Sequence, residues 1–115
     1  MSRYLEKYDI VRNIDVDESG TADIAHKCQL FGLIATNLDG TTIYLKFYNK
    51  ATAPTVGTDT PVMTLAIPTL SIVSVEFKGG IDFSTGLGLG ATTGVADNDT
   101  TGPGANEVVV NLLYK

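Results

Sequence analysis

The chain has 115 residues, 43% of them hydrophobic and 18% charged, with a formal net charge of −5. This length and apolar content fit one folded domain and exclude a disordered chain. The acidic balance, with Lys and Arg scattered from Arg3 to Lys115, excludes a surface that tracks nucleic acid.

The N-terminal residues Met1–Lys7 carry no apolar signal core, so a protein folded and used from the cytoplasm, without export, is expected. No apolar run approaches the ~20 residues of a membrane span. Met1–Tyr8 allows a helical turn or two at most. Ile10–Val16 alternates imperfectly and predicts an edge strand or an N-terminal arm. The segment Asp15–Glu18 is acidic and expected to be solvated. Cys28, the single cysteine, is expected as a small buried hydrophobe. Gln29–Thr36 is apolar on both faces, which predicts a central strand covered on both sides.

Asn37-Leu38-Asp39-Gly40 reads as a hairpin turn, with Gly40 able to take positive φ. Ile43–Tyr48 alternates strictly: Ile43, Leu45 and Phe47 on one face, Tyr44, Lys46 and Tyr48 on the other. Lys50–Thr60, broken by Pro54 and Gly57, predicts an exposed loop. Val62–Ile67 and Leu70–Phe77 predict two strands joined tightly at Pro68-Thr69. Ile81–Thr92 is a weaker strand, interrupted by Gly86, Gly88 and Gly90. Small residues at alternate positions there suggest close backbone approach at a subunit contact. Gly94–Asn106 predicts a second exposed loop. In the last strand Val108, Val110, Leu112 and Tyr114 share one face, and Val109, Asn111 and Leu113 form a mixed one.

Six to eight short strands with turns between them predict an all-β chain, a single-domain antiparallel β-sandwich of jelly-roll type. Residues 1–25 are expected as an N-terminal arm or edge strand and residues 26–115 as the sandwich. The expected core is Leu30, Ile34, Leu45, Phe47, Leu65, Val75, Val110 and Leu112.

No candidate for chemistry survives inspection. His26 and Cys28 share one side of a strand, but no oxyanion signature accompanies them. Zinc needs three or four ligands, and these residues supply two. Gly86-Leu87-Gly88-Leu89-Gly90-Ala91 matches a dinucleotide fingerprint in letters only, because no helix follows it. Asp97–Gly102 resembles the start of a calcium loop, but Val108 stands where the bidentate Glu belongs. Asp15, Asp17, Glu18, Glu76 and Asp82 offer carboxylates without any spacing that selects a pair. No enzyme activity, cofactor, metal or small-molecule substrate is expected.

One run is distinctive: Tyr44-Leu45-Lys46-Phe47-Tyr48-Asn49-Lys50-Ala51-Thr52-Ala53-Pro54-Thr55-Val56-Gly57-Thr58-Asp59-Thr60-Pro61-Val62. With Phe83–Gly88, Ala96–Thr101 and Val108–Tyr114, it resembles a family of small tailed-bacteriophage proteins whose genes lie among virion genes. The resemblance covers about Gln29 to Lys115. It implies a virion accessory protein, foremost a capsid decoration or cement protein. Such a protein would bind the major capsid protein on the outer capsid surface as a homotrimer, without nucleic acid or membrane partners. Tyr4, Leu5, Tyr8 and Ile10 would then be apolar anchors of a docking arm. A tail, neck or baseplate component is an alternative reading. A receptor- or glycan-binding module is another, weakened by the lack of Trp and the few loop aromatics.

Overall fold

The computed structural model describes residues 7–115, and every described element is a β-strand. The strands are β1 (Asp9–Asn13), β2 (Thr21–Ile24), β3 (Cys28–Asn37), β4 (Ile43–Asn49), β5 (Met63–Ile67), β6 (Ser71–Phe83), β7 (Leu87–Thr92) and β8 (Val108–Tyr114). They form two four-stranded sheets, sheet A in the order β1-β8-β3-β6 and sheet B in the order β2-β7-β4-β5. The antiparallel pairs are nested: β1 with β8, β2 with β7, β3 with β6, β4 with β5. Each strand thus pairs with the strand equally far from the other end of the series. That is one long hairpin rolled on itself, the eight-stranded jelly roll.

The core lies between the sheets. Ile43, Leu45 and Phe47 of β4 are fully buried, as their alternation predicts, and so are Leu87, Leu89 and Ala91 of β7. From sheet A, Leu30, Leu33, Ala35, Val108, Val110 and Leu112 meet them. Leu65 and Val75 pack against this core but are only partly buried, since they lie on edge strands. Cys28 is buried and pairs with Phe83 across β3 and β6.

Several expectations need correction. Ile34 is not core: it is 43% exposed on the outer face of sheet A. The reason is a bulge. Leu30 faces Tyr114 of β8 and Gly32 faces Leu113, so Phe31 is one extra residue in β3. Strand parity flips there, which puts Leu30 and Leu33 inside together and turns Ile34 out. The Asn37–Gly40 segment is not a hairpin turn, because β3 and β4 belong to different sheets. It is a corner between the layers, and Gly40 is not among the residues with positive φ. The corner is tied by Asn37, which is fully buried. Its Nδ2 donates to the carbonyls of Thr41 (2.9 Å) and Ile67 (3.0 Å), and its Oδ1 accepts the Asp39 N–H at 2.8 Å. Pro68–Leu70 makes the matching corner from β5 to β6. Strand β6 runs on to Phe83, so Ile81–Phe83 closes β6 and does not open β7.

Residues 7–25 contribute β1 to the edge of sheet A and β2 to the edge of sheet B. The acidic segment between them crosses from one sheet to the other and is not simply solvated. Val16 is buried, its N–H donates to the Val108 carbonyl, and the Asp17 carbonyl accepts the Ala91 N–H.

Candidate functional site

The two sheets present very different outer faces. On sheet B, the residues of β4 that point away from the core are Tyr44, Lys46 and Tyr48, and those of β7 are Gly88, Gly90 and Thr92. Lys46, Tyr48 and Thr92 are nevertheless buried. The loops 50–62 and 93–107 fold over them as a roof, whose outer residues are exposed as composition predicts. Within these loops Pro54, Val56 and Pro103 are buried. The glycines make the close approach possible. A Cβ at Gly88 would lie 2.9 Å from Pro54 Cδ, and one at Gly90 would lie 2.6 Å from Val56 Cγ2. The close backbone approach is therefore real, but it is made by the chain's own loop and not by a subunit contact.

The roof is fastened by polar groups. The Lys46 ammonium donates to the Ala96 carbonyl at 2.6 Å. Burial holds its pKa below the ordinary lysine value, and the Asp99 and Asp97 carboxylates oppose that shift. Asp99 accepts the Thr101 N–H at 2.8 Å and the Thr101 hydroxyl at 2.5 Å, which depress its pKa. The calcium-like segment is thus organised over the chain's own ammonium. In the other loop Lys50 pairs with Asp59 at 2.8 Å, and Asp59 also accepts the Thr55 N–H at 2.7 Å. These bonds lower the Asp59 pKa, the one from Lys50 most. The Tyr48 hydroxyl is buried without a hydrogen-bond partner among the described residues. Burial raises its pKa, and the Asp59 and Asp97 carboxylates add to the effect.

The outer face of sheet A has no such cover among the described residues. Its rows can be read from the strand register. Ile10, Leu113, Gly32 and Glu76 form one row, and Arg12, Asn111, Ile34 and Ser74 a second. Val109, Thr36 and Ile72 form a third. Ile10 and Ile72 are each 67% exposed. Beside the first row lies a groove of about 980 Å³, lined by Tyr8, Phe31, Leu113, Lys78 and Lys115 among others. The Tyr8 ring rests on Phe31 with centroids 5.0 Å apart, and the Lys115 ammonium lies 6.0 Å from the Tyr8 centroid. The face is mixed, with exposed Ile10, Ile34 and Ile72 set among Arg12, Ser74 and Glu76.

The residues singled out from sequence distribute as follows. Tyr8 and Ile10 lie on this face, while Tyr4 and Leu5 fall outside the described residues. His26 is exposed, its Nδ1 within 3.1 Å of the Lys27 carbonyl, and Cys28 is buried beside it with its thiol pKa pushed up by burial. Gly86–Ala91 runs into strand β7. Asp15 accepts the Asn106 N–H at 2.8 Å, and Asp82 accepts from Gln29 Nε2 at 2.9 Å. Each carboxylate therefore fastens a separate place. Among the described residues no three His, Cys, Asp or Glu side chains are grouped to hold a metal ion.

Sequence reasoning passed over Phe31, Ile34, Ile72 and Leu113 as surface residues. The signal was present in β3, which is apolar on both faces, and in the mixed outer face of β8. Comparison with protein-family models, with curated proteins and with solved structures gave no match.

Proposed function

We propose that this chain is a non-enzymatic structural protein of a phage particle, a head decoration protein that docks on assembled capsid protein through the outer face of sheet A. The observation that carries the reading is the asymmetry of the sandwich. One outer face is roofed by the chain's own loops, and the other offers Ile10, Phe31, Ile34, Ile72, Val109 and Leu113, with Arg12 and Glu76 set among them. The resemblance of Tyr44–Val62 and the C-terminal strand to small tailed-phage proteins supplies the particle. A protein that binds only the assembled shell stabilises that shell by linkage. This work needs a stiff platform and a dry contact, and a jelly roll with one outer face uncovered among the described residues is suited to it.

The test is immunogold labelling of intact particles with antibody raised against the chain. Gold spread over the head is the expected result. Gold confined to the tail or neck, or absent from particles, overturns the reading.

A further inference from the structure

A sandwich of two open sheets has four edges, and here they differ in kind. β1, β2 and β5 are five, four and five residues long. β5 is also bracketed by Pro61 and Pro68, which cannot donate to a ladder. The fourth edge is β6, 13 residues long and bonded on one side only, to β3. Its segment Ser71–Glu76 pairs without interruption against Asn37–Gly32. It contains Ile72, Val73 and Val75, no proline, and one charge, Glu76. Long edges of this composition are strand templates, and folded proteins ordinarily blunt them. Three core-facing side chains along this edge, Val73, Val75 and Phe77, pack on the core but are only partly buried.

We infer that the β6 edge pairs antiparallel with β6 of a second copy of this chain, joining two A sheets into one continuous sheet. The edge is self-complementary about Ser74. With Ser74 opposite Ser74, each Val73 meets a Val75 on the core side, and each Ile72 meets a Glu76 on the outer side. β-Branched cross-strand pairs stabilise a ladder, and no like charges face each other. The two Glu76 lie about 13 Å apart, four residues of strand rise. An axis at Val75 would run the pairing into the kink at Gly79 and Gly80, whose φ values are 84° and 81°. An axis at Val73 would set Ser71 against Val75 and keep one valine pair, Val73 with Val73, in place of two. Residue sums that are even keep both outer faces on the same side of the joined sheet. Two docking faces then lie side by side, which doubles the area offered to a partner. The pairing rests on the edge alone and stands or falls independently of the particle proposed above.

The test is sedimentation equilibrium of the full chain together with disulfide trapping. Residues directly opposed in a ladder have Cα atoms about 4.5–5.5 Å apart, within disulfide reach. Ser74→Cys should give a covalent dimer under mild oxidation. Val95→Cys, 61% exposed on the roof of the other sheet, should not. The native Cys28 is buried and leaves a low background. Wild type should show a concentration-dependent mass of twice 12.2 kDa. Ser74→Lys, an exposed position where two ammonium groups would meet, should return it to the monomer, with the melting temperature of wild type measured at concentrations where it too is monomeric. A wild-type monomer at every concentration overturns the inference. So does a trimer of the kind the family resemblance implies, or trapping at position 74 no greater than at 95.

Discussion

Gly90 and Val56 form a pair through which the roof over sheet B can be tested quantitatively. A Cβ at Gly90 would lie 2.6 Å from Val56 Cγ2 and 3.4 Å from Tyr48 Cε1. Forcing a methyl group into such a contact costs about 1–3 kcal/mol. Gly90 is not among the positive-φ residues, so alanine fits the backbone. The stiffer unfolded chain then offsets about 0.4–1 kcal/mol of that cost. Gly90→Ala should therefore destabilise by about 1–2 kcal/mol overall. Val56 is 8% exposed, and Val56→Ala removes two methyl groups from contact. At ~0.8 kcal/mol per buried carbon, it should cost about 1–2 kcal/mol. In the double mutant the obstructing Cγ2 is gone and the new methyl occupies its space. The pair should lose no more than Val56→Ala alone, a favourable coupling of about 1–2 kcal/mol. Urea denaturation with linear extrapolation measures all four corners of the cycle. Additivity within about 0.5 kcal/mol would refute the claim that the loop is seated on β7 through this contact.

Three further outcomes are expected. Phe47→Ala should cost about 3–5 kcal/mol by cavity formation, and a loss below about 1 kcal/mol in the same melt would mean the core face of β4 is misplaced. Leu33→Ala should cost about 2–5 kcal/mol while its neighbour Ile34→Ala costs less than about 1 kcal/mol, and equal losses would remove the bulge at Phe31. The Asp99 carboxylate has a folded pKa depressed below 3.8, chiefly by the Thr101 hydroxyl. The unfolded state then binds more protons in that window, so the contribution is present above 3.8 and is lost as pH falls through the folded value. Asp99→Asn should make the acid limb of the stability curve shallower than in wild type, and an identical limb would place the carboxylate elsewhere.

The parts of the fold legible in sequence were those where side-chain period and burial coincide. β4 was readable because Ile43, Leu45 and Phe47 alternate without interruption and all three are core. β8 was readable for the same reason. The parity of β3 was not, because an inserted Phe31 leaves no compositional mark while shifting every residue on one side of it to the other face. β2 is four residues long and carries Asp23, whose carboxylate accepts from Asn13 of β1 at 2.9 Å. A strand anchored by polar bonds has no apolar alternation to reveal it.

The roof was equally hidden. Lys46 reads as a solvated residue of an alternating strand, and only the tertiary path of a loop fifty residues later buries it. The glycines of β7 did signal close approach, but spacing alone does not say whether the approaching backbone belongs to the same chain. The outer face of sheet A, the proposed docking face, was half legible. β3 carries apolar residues on both faces, which implies a cover. The sandwich supplies one on the inner side, and among the described residues nothing supplies the other. That mismatch between an apolar strand and its uncovered face is the physical reason for assigning function to sheet A.

The most direct measurement is co-sedimentation of purified chain with phage heads lacking it, comparing wild type with Ile10→Ser/Ile34→Ser and with Val95→Ser. Ile10 and Ile34 lie on the outer face of sheet A, and Val95 lies on the roof over sheet B. Wild type and Val95→Ser should sediment with heads, and the double variant should stay in the supernatant while melting at the wild-type temperature. Binding that survives the double substitution, or that fails with Val95→Ser, would contradict docking through sheet A.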